Sequence, residues 1–139
     1  MKCLYLQEEL MLRTVLKSKI HRAVITGASI DYEGSITIDS GLMAAAGIVP
    51  HEQVQVLDID NGARLTTYAL PGGAGEVCIN GAAARLIDVG DRVIILTYAT
   101  LEAGELADHE PVIIRVNEKN VEESGAAGAL PQQAKGVQG

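Results

Sequence analysis

The stretch EQVQVLDIDNGARLTTYAL, Glu52 to Leu70, constrains the fold more than any other part of the chain. Two runs of β-type residues flank Asn61-Gly62, the dipeptide favoured in type I′ hairpin turns because both central positions need positive φ. Strand alternation then puts Arg64, Thr66 and Tyr68 on one face of the return strand and Leu65, Thr67 and Ala69 on the other. Other short apolar runs recur along the chain, separated by turn signals. The spacing predicts two short helices. One spans Leu42 to Ala46, capped by Asp39 or Ser40 and stopped by Gly47 and Pro50, and the other covers Ala82 to Leu86. Many short strands and little helix predict a mainly β fold, a closed or nearly closed barrel with short helices.

Length and composition narrow this further. A chain of 139 residues suits one domain with a sizeable core. With no Trp, no Phe and four Tyr, that core has to be aliphatic. Net charge is −7, which argues against nucleic-acid binding, since that needs a basic footprint and aromatic stacking platforms. An anionic ligand would have to be caught by locally placed Arg or Lys against the overall field. Cys3 and Cys78 make neither a disulfide framework nor a metal site, so no metal is expected. No stretch approaches the roughly 20 apolar residues of a membrane span, and Glu8 and Glu9 interrupt any signal-like start. A reducing cytoplasm is the expected compartment, with no membrane partner. Residues 1–10 read as an appendage, 11–116 as one barrel domain, and 117–139 as a mobile tail rich in Gly, Ala, Gln, Lys and Glu.

The segment from Met11 to Ile30 reads as a strand pair or one long bent strand. Lys17, Lys19 and His21 recur at spacing two, on one face of a strand; by spacing alone they suit a solvated edge on which lysines discourage unwanted pairing. PGGAG, Pro71 to Gly75, reads as a flexible turn, and EAGELADHEP as a polar link before a last strand, Pro111 to Val116. Cys78 reads as a small core residue. There is no internal repeat, P-loop, GxGxxG or HExxH pattern.

The pair Gly34-Ser35 admits two readings. Such pairs are ordinary turn residues. A serine hydroxyl can also attack the carbonyl of the preceding residue through a five-membered ring, giving an ester, provided the fold supplies strain or donors for the carbonyl oxygen. Glycine before the serine reaches backbone geometries that other residues cannot. β-Elimination from the ester and hydrolysis of the resulting dehydroalanine would leave a pyruvoyl group.

The segments LKSKIHRA, DYEGS, NGARLTTYA and NGAAA occur in this order, and together they resemble the pyruvoyl-dependent aspartate 1-decarboxylases. The resemblance spans roughly Met11 to Val116. It implies a double-psi β-barrel, a homotetramer, and a proenzyme that cuts itself between Gly34 and Ser35, with or without a maturation factor. It further implies a covalent pyruvoyl cofactor from Ser35, which condenses with the amine of L-aspartate, and release of β-alanine for pantothenate synthesis.

Residue by residue, the resemblance implies that Arg64 holds a substrate carboxylate, where a planar two-pronged donor outperforms lysine. Lys19 adds charge at the other end. Tyr68 matches the proton donor to the carbanion, since a phenol stays protonated at neutral pH. Thr67 matches a processing threonine that would also touch substrate. Asn80, with Gly81, Ala82 and Ala83, matches donors around the pyruvoyl end, and Tyr32 and His21 match supporting pocket positions; His21 has no assigned proton-transfer role. Strict alternation separates Thr67 from Tyr68, so a bulge, a twist or a neighbouring subunit must reconcile them. Residues 1–10 lie outside the family pattern, Leu57 stands where some relatives have a large aromatic, and the PGGAG turn is shorter than in some relatives. The alternatives are a non-catalytic barrel acting as a binding module and a pyruvoyl decarboxylase of another amino acid.

Overall fold

The computed structural model describes residues 11–123. Eight strands form one hydrogen-bonded sheet: β1 Leu12–Val24, β2 Gly27–Ser29, β3 Ser35–Asp39, β4 Gln53–Asp58, β5 Arg64–Gly72, β6 Val77–Asn80, β7 Arg92–Glu102 and β8 Val112–Arg115. Their order is β2-β6-β3-β5-β4-β7-β1-β8. The pairs β1·β8, β2·β6 and β3·β5 are parallel and the other four are antiparallel. The core is aliphatic throughout: Ile20, Ile36, Ile38, Val54, Val56, Val77, Ile79, Val93 and Ile95 are all essentially inaccessible.

The first predicted helix, α1, is Ser40–Ala46. Asp39 caps it, its Oδ1 accepting from the amides of Gly41 (2.7 Å) and Leu42 (3.1 Å), and Gly47 ends it at φ 72°. Leu42, Met43 and Ala46 turn its apolar face to the core. The second expected helix is a 3-10 turn, Gly81–Arg85. A further one-turn helix, α2 Ala103–Leu106, stands where the sequence suggested only a polar link; the Glu105 carboxylate reaches back to accept from the Glu102 backbone amide at 2.7 Å.

Several expectations are corrected. The hairpin β4–β5 is present, but not with a two-residue type I′ turn. Its loop runs from residue 59 to residue 63, because the Asp58 carboxylate accepts from the amides of Asp60 (2.8 Å) and Asn61 (3.2 Å) and opens a wider turn. Of Asn61 and Gly62, only Gly62 has positive φ. Pro71 and Gly72 belong to β5, paired with Ile38 and Asp39, so the PGGAG turn is confined to its last residues. Asn120, buried, donates to the carbonyls of Val24 and Gly75 and accepts from the Val24 amide, so packing continues past Val116 to the end of the described residues. Residues 1–10 and the tail beyond residue 123 lie outside the described residues.

Strand β1 is one long strand between β7 and β8, not an edge. Its register against β7 slips at two places, making Lys17 and Arg22 the extra residues of two bulges, Arg22 at φ 71°. Lys17 therefore leaves the face it was expected to share with Lys19 and His21. Its ammonium donates to the Gly47 carbonyl (2.7 Å) and pairs with Glu52 (2.6 Å), tying β1 to the end of α1.

Candidate active site

The predicted residues fall into two clusters. The first surrounds Ser35, the opening residue of β3. Its side chain is buried, and Ser35 faces Asn80 directly across the antiparallel β3–β6 ladder. Asn80 Nδ2 donates to Ser35 Oγ at 2.9 Å and to Thr37 Oγ1 at 3.1 Å, so one amide fixes both hydroxyls of the same strand face. The Asn80 amide is itself oriented by the Cys78 thiol, which lies 3.5 Å from its Oδ1. Burial, with Glu76 nearby, raises the Cys78 pKa, so the thiol stays protonated and able to donate.

Gly34 packs against Gly81. A Cβ on Gly81 would sit 2.7 Å from Gly34 Cα and 2.8 Å from Gly34 N, and Gly81 has φ 74°. Both facts demand glycine there. Gly34, Thr67, Asn80, Ala82 and Ala83 line a cavity of about 320 Å³, with Leu65, Thr66 and Leu86 completing the wall. Among the described residues no hydrogen bond joins Thr67 to Gly34.

The second cluster lies on the outer face of β1, β7, β4 and β5. Residues opposite one another in a ladder share a face, and the register aligns Ile113, Lys19, Leu96, Gln55 and Thr66 in one row. The next row is Arg115, His21, Ile94, Leu57 and Arg64. Tyr68 stands one step beyond Thr66, opposite Gln53. Lys19, His21, Arg64 and Tyr68 thus share one surface although they come from distant parts of the sequence. Leu57, the position noted for its departure from some relatives, is the direct neighbour of Arg64.

This surface is cationic in an acidic protein. The two rows hold Lys19, Arg64 and Arg115 and no carboxylate. Burial, then the charges of Arg115, Lys19 and Arg22, lowers the His21 pKa to about 4, so its imidazole is neutral at pH 7 and adds no further charge. Among the described residues, nothing hydrogen-bonds or ion-pairs with the Lys19 ammonium, the Arg64 guanidinium or the Tyr68 hydroxyl; the ring of Tyr68 rests 6.3 Å, centroid to centroid, from His51.

Strand β5 pairs with β4 in unbroken register from Arg64 to Tyr68, so no bulge brings Thr67 and Tyr68 to one side. Thr67 goes with the Ser35 cluster and Tyr68 with the cationic face. Tyr32 is exposed, and it reaches the Ser35 cluster through its backbone carbonyl, 3.0 Å from where a Cβ on Gly81 would sit. A separate cleft of about 560 Å³, lined by Arg22, Arg92 and Lys119 among others, contains none of the predicted residues. Thr37 and Cys78 were not anticipated in the site. Each stands two residues from a predicted one, Ser35 and Asn80, so the strand period was the signal that marked them.

A buried serine that follows a glycine, together with a face of unpaired cations suited to carboxylates, fits an enzyme that handles small acids. The chain matches the family model described as Aspartate decarboxylase over residues 11–123, and it belongs to that family of carboxy-lyases. "Aspartate 1-decarboxylase 2" of Gloeobacter violaceus is 56% identical over 112 residues, 79% of this chain and 90% of that one. "Aspartate 1-decarboxylase" of Thermoanaerobacter pseudethanolicus is 54% identical over 112 residues, 79% of this chain and 96% of that one. The protein of the same name from Bacillus subtilis is 49% identical over 112 residues, 79% of this chain and 88% of that one. The fold is mainly β with short helices, as expected for such a chain. No helix among the described residues is long and apolar enough to cross a membrane.

Proposed function

We propose that the chain decarboxylates L-aspartate to β-alanine and carbon dioxide, a step toward pantothenate, using a pyruvoyl group made from its own Ser35. The observation that carries this reading is the buried Ser35 hydroxyl, 2.9 Å from Asn80 Nδ2 and next to a Gly34 backbone pressed on Gly81.

In processing, Ser35 Oγ bonds to the Gly34 carbonyl carbon, the Gly34–Ser35 C–N bond breaks, and the hydroxyl proton ends on the freed amine. Elimination of the Gly34 carboxylate and hydrolysis with loss of ammonia complete the conversion. Asn80 donates to Oγ rather than accepting from it, so the hydroxyl proton is left free for transfer. Thr67 shares the cavity with Gly34, where its hydroxyl would serve the carbonyl oxygen as charge develops there.

These residues fit the group: Asn80 and the backbone amides of Gly81 and Ala82 are donors at the end of β6, beside Ser35. A pyruvoyl group held there would supply an electrophilic carbonyl for the substrate amine and an electron sink for the loss of carbon dioxide. Arg64 holds a substrate carboxylate with its two-pronged guanidinium, and Lys19 supplies the second positive charge. Tyr68 delivers a proton to carbon. Thr67 and Tyr68 lie on opposite faces of an unbroken strand, so the pyruvoyl end of one copy meets the cationic face of another. This accounts for an assembly of processed chains, a homotetramer in the cytoplasm; a maturation factor would act on the Gly34–Ser35 bond.

The test is intact mass of purified protein, with and without borohydride and aspartate. Two pieces cut between Gly34 and Ser35 are expected, the longer gaining mass in the presence of both reagents, while Ser35→Ala stays whole and inactive. An uncut chain without a reducible carbonyl that still decarboxylates would overturn the reading. Carbon dioxide release from a panel of amino acids checks that aspartate is the substrate.

A further inference from the structure

We propose that Asp58, Asp60 and Asp91 form a binding site for one hard divalent cation of the Ca²⁺, Mg²⁺ or Mn²⁺ class. One carboxylate oxygen from each lies within 4.8 Å of the others. Oxygen contacts to such ions run from about 2.0 to 2.6 Å, so a single ion between them reaches all three once the carboxylates close in by a few tenths of an ångström.

The second observation is the state of Asp58. Its side chain is only 2% exposed, and its Oδ2 is buried with no hydrogen-bond partner. Oδ1 is already committed to the amides of Asp60 and Asn61, so Oδ2 is left unsatisfied among carboxylates. A buried carboxylate requires a compensating charge or a proton. Among the described residues no Lys or Arg supplies it, since the ion pair found there is Lys17–Glu52. A proton can bridge only two of the three carboxylates; a divalent ion satisfies all three together.

The other two carboxylates are anchored and each keeps an oxygen free. Asp60 Oδ2 accepts from the Arg92 amide at 2.8 Å, and Asp91 Oδ2 accepts from the Asp88 amide at 3.1 Å. Asp60 is exposed and Asp91 half-buried, which leaves a route for the ion and room for water to complete its shell. An all-oxygen donor set selects hard cations over zinc or copper. Bound there, the ion would clamp the β4–β5 turn to the start of β7, where Ile59 N already bonds Arg92 O at 2.8 Å.

The experiment is calorimetric titration of the chelator-treated full chain with Ca²⁺, Mg²⁺ and Mn²⁺ in turn. Saturable binding of one ion per chain is expected for at least one of them. Asp58→Asn keeps the Oδ1 acceptor for the turn but drops the charge, and it should weaken binding about tenfold or more, as should Asp91→Asn. Should Asp58→Asn fail to fold, Asp60→Asn, at an exposed position, carries the same test. No saturable binding of any of the three ions at millimolar concentration, or unchanged binding in every folded variant, overturns the proposal.

Discussion

Under the proposed function the Ser35 cluster and the cationic outer face would carry two halves of one chemistry, and they are finished to different degrees. Around Ser35 the chain closes its own hydrogen bonds: Cys78 orients Asn80, Asn80 holds Ser35 and Thr37, and Gly81 supports Gly34. On the outer face, Lys19, Arg64 and Tyr68 are brought together by register alone, and among the described residues none of their polar groups has a partner. A reaction inside one chain needs only that chain's contacts. A reaction on a substrate needs groups left open for it, and here they open away from Ser35. The difference teaches that, under the proposed function, self-processing and turnover would rest on separable parts of the sheet.

The sharpest way to break this comparison is complementation. Arg64→Ala should be cut normally but lose turnover, and Ser35→Ala should be uncut and inactive. Assembled together, they should regain activity, on the order of a quarter of wild type if each site draws on two copies in random mixtures. Rates in the mixture no higher than the sum of the separate variants would place the whole site in one chain.

Tyr68→Phe sharpens the same division. It should leave cleavage intact and lower kcat by about 10² to 10⁴, the range for losing a general acid, with steady-state kinetics on fully cut protein as the check. Gly81→Ala addresses the other half. Positive φ costs a residue with Cβ about 1–2 kcal/mol, and the contact with Gly34 adds to it. Cleavage followed by denaturing gel should slow markedly.

The smallest effect expected is on stability against pH. His21 titrates at about 4 when folded against 6.5 in an open chain, so between those values the unfolded state holds more protons and stability rises with pH. Burial, with Asp91 beside it, raises the Asp58 pKa from 3.8 to about 6, so over that window the folded state holds more protons and stability falls with pH. The two slopes oppose each other between about pH 4 and 6. Thermal melts in chelator should show a falling limb in His21→Gln and a rising limb in Asp58→Asn, with wild type flatter than either.

Local chemistry was legible in the sequence wherever neighbours along the chain decide it. Asp39 and Gly47 bound the helix between them, and the alternation along β5 correctly separated Thr67 from Tyr68. The turn at Asn61-Gly62 was misjudged because a carboxylate three residues before it, Asp58, recruits the loop amides. Lys17 was assigned to the wrong face because a bulge leaves no mark in the apolar pattern. The pairing of Ser35 with Asn80, and the row that joins His21 to Arg64, depend on long-range register, which no local propensity encodes. Those residues could be named from family resemblance, but not placed.

The bulges of β1 carry a consequence for how this chain can change. Everywhere else along a paired strand, adding or removing a single residue turns each following side chain from inside to outside. Lys17 and Arg22 are already surplus to the ladder, so they are the points where an insertion or deletion would change the phase of the strand on purpose. Lys19 and His21 lie between them, and their outward aim therefore depends on two irregularities rather than on the strand's own rhythm.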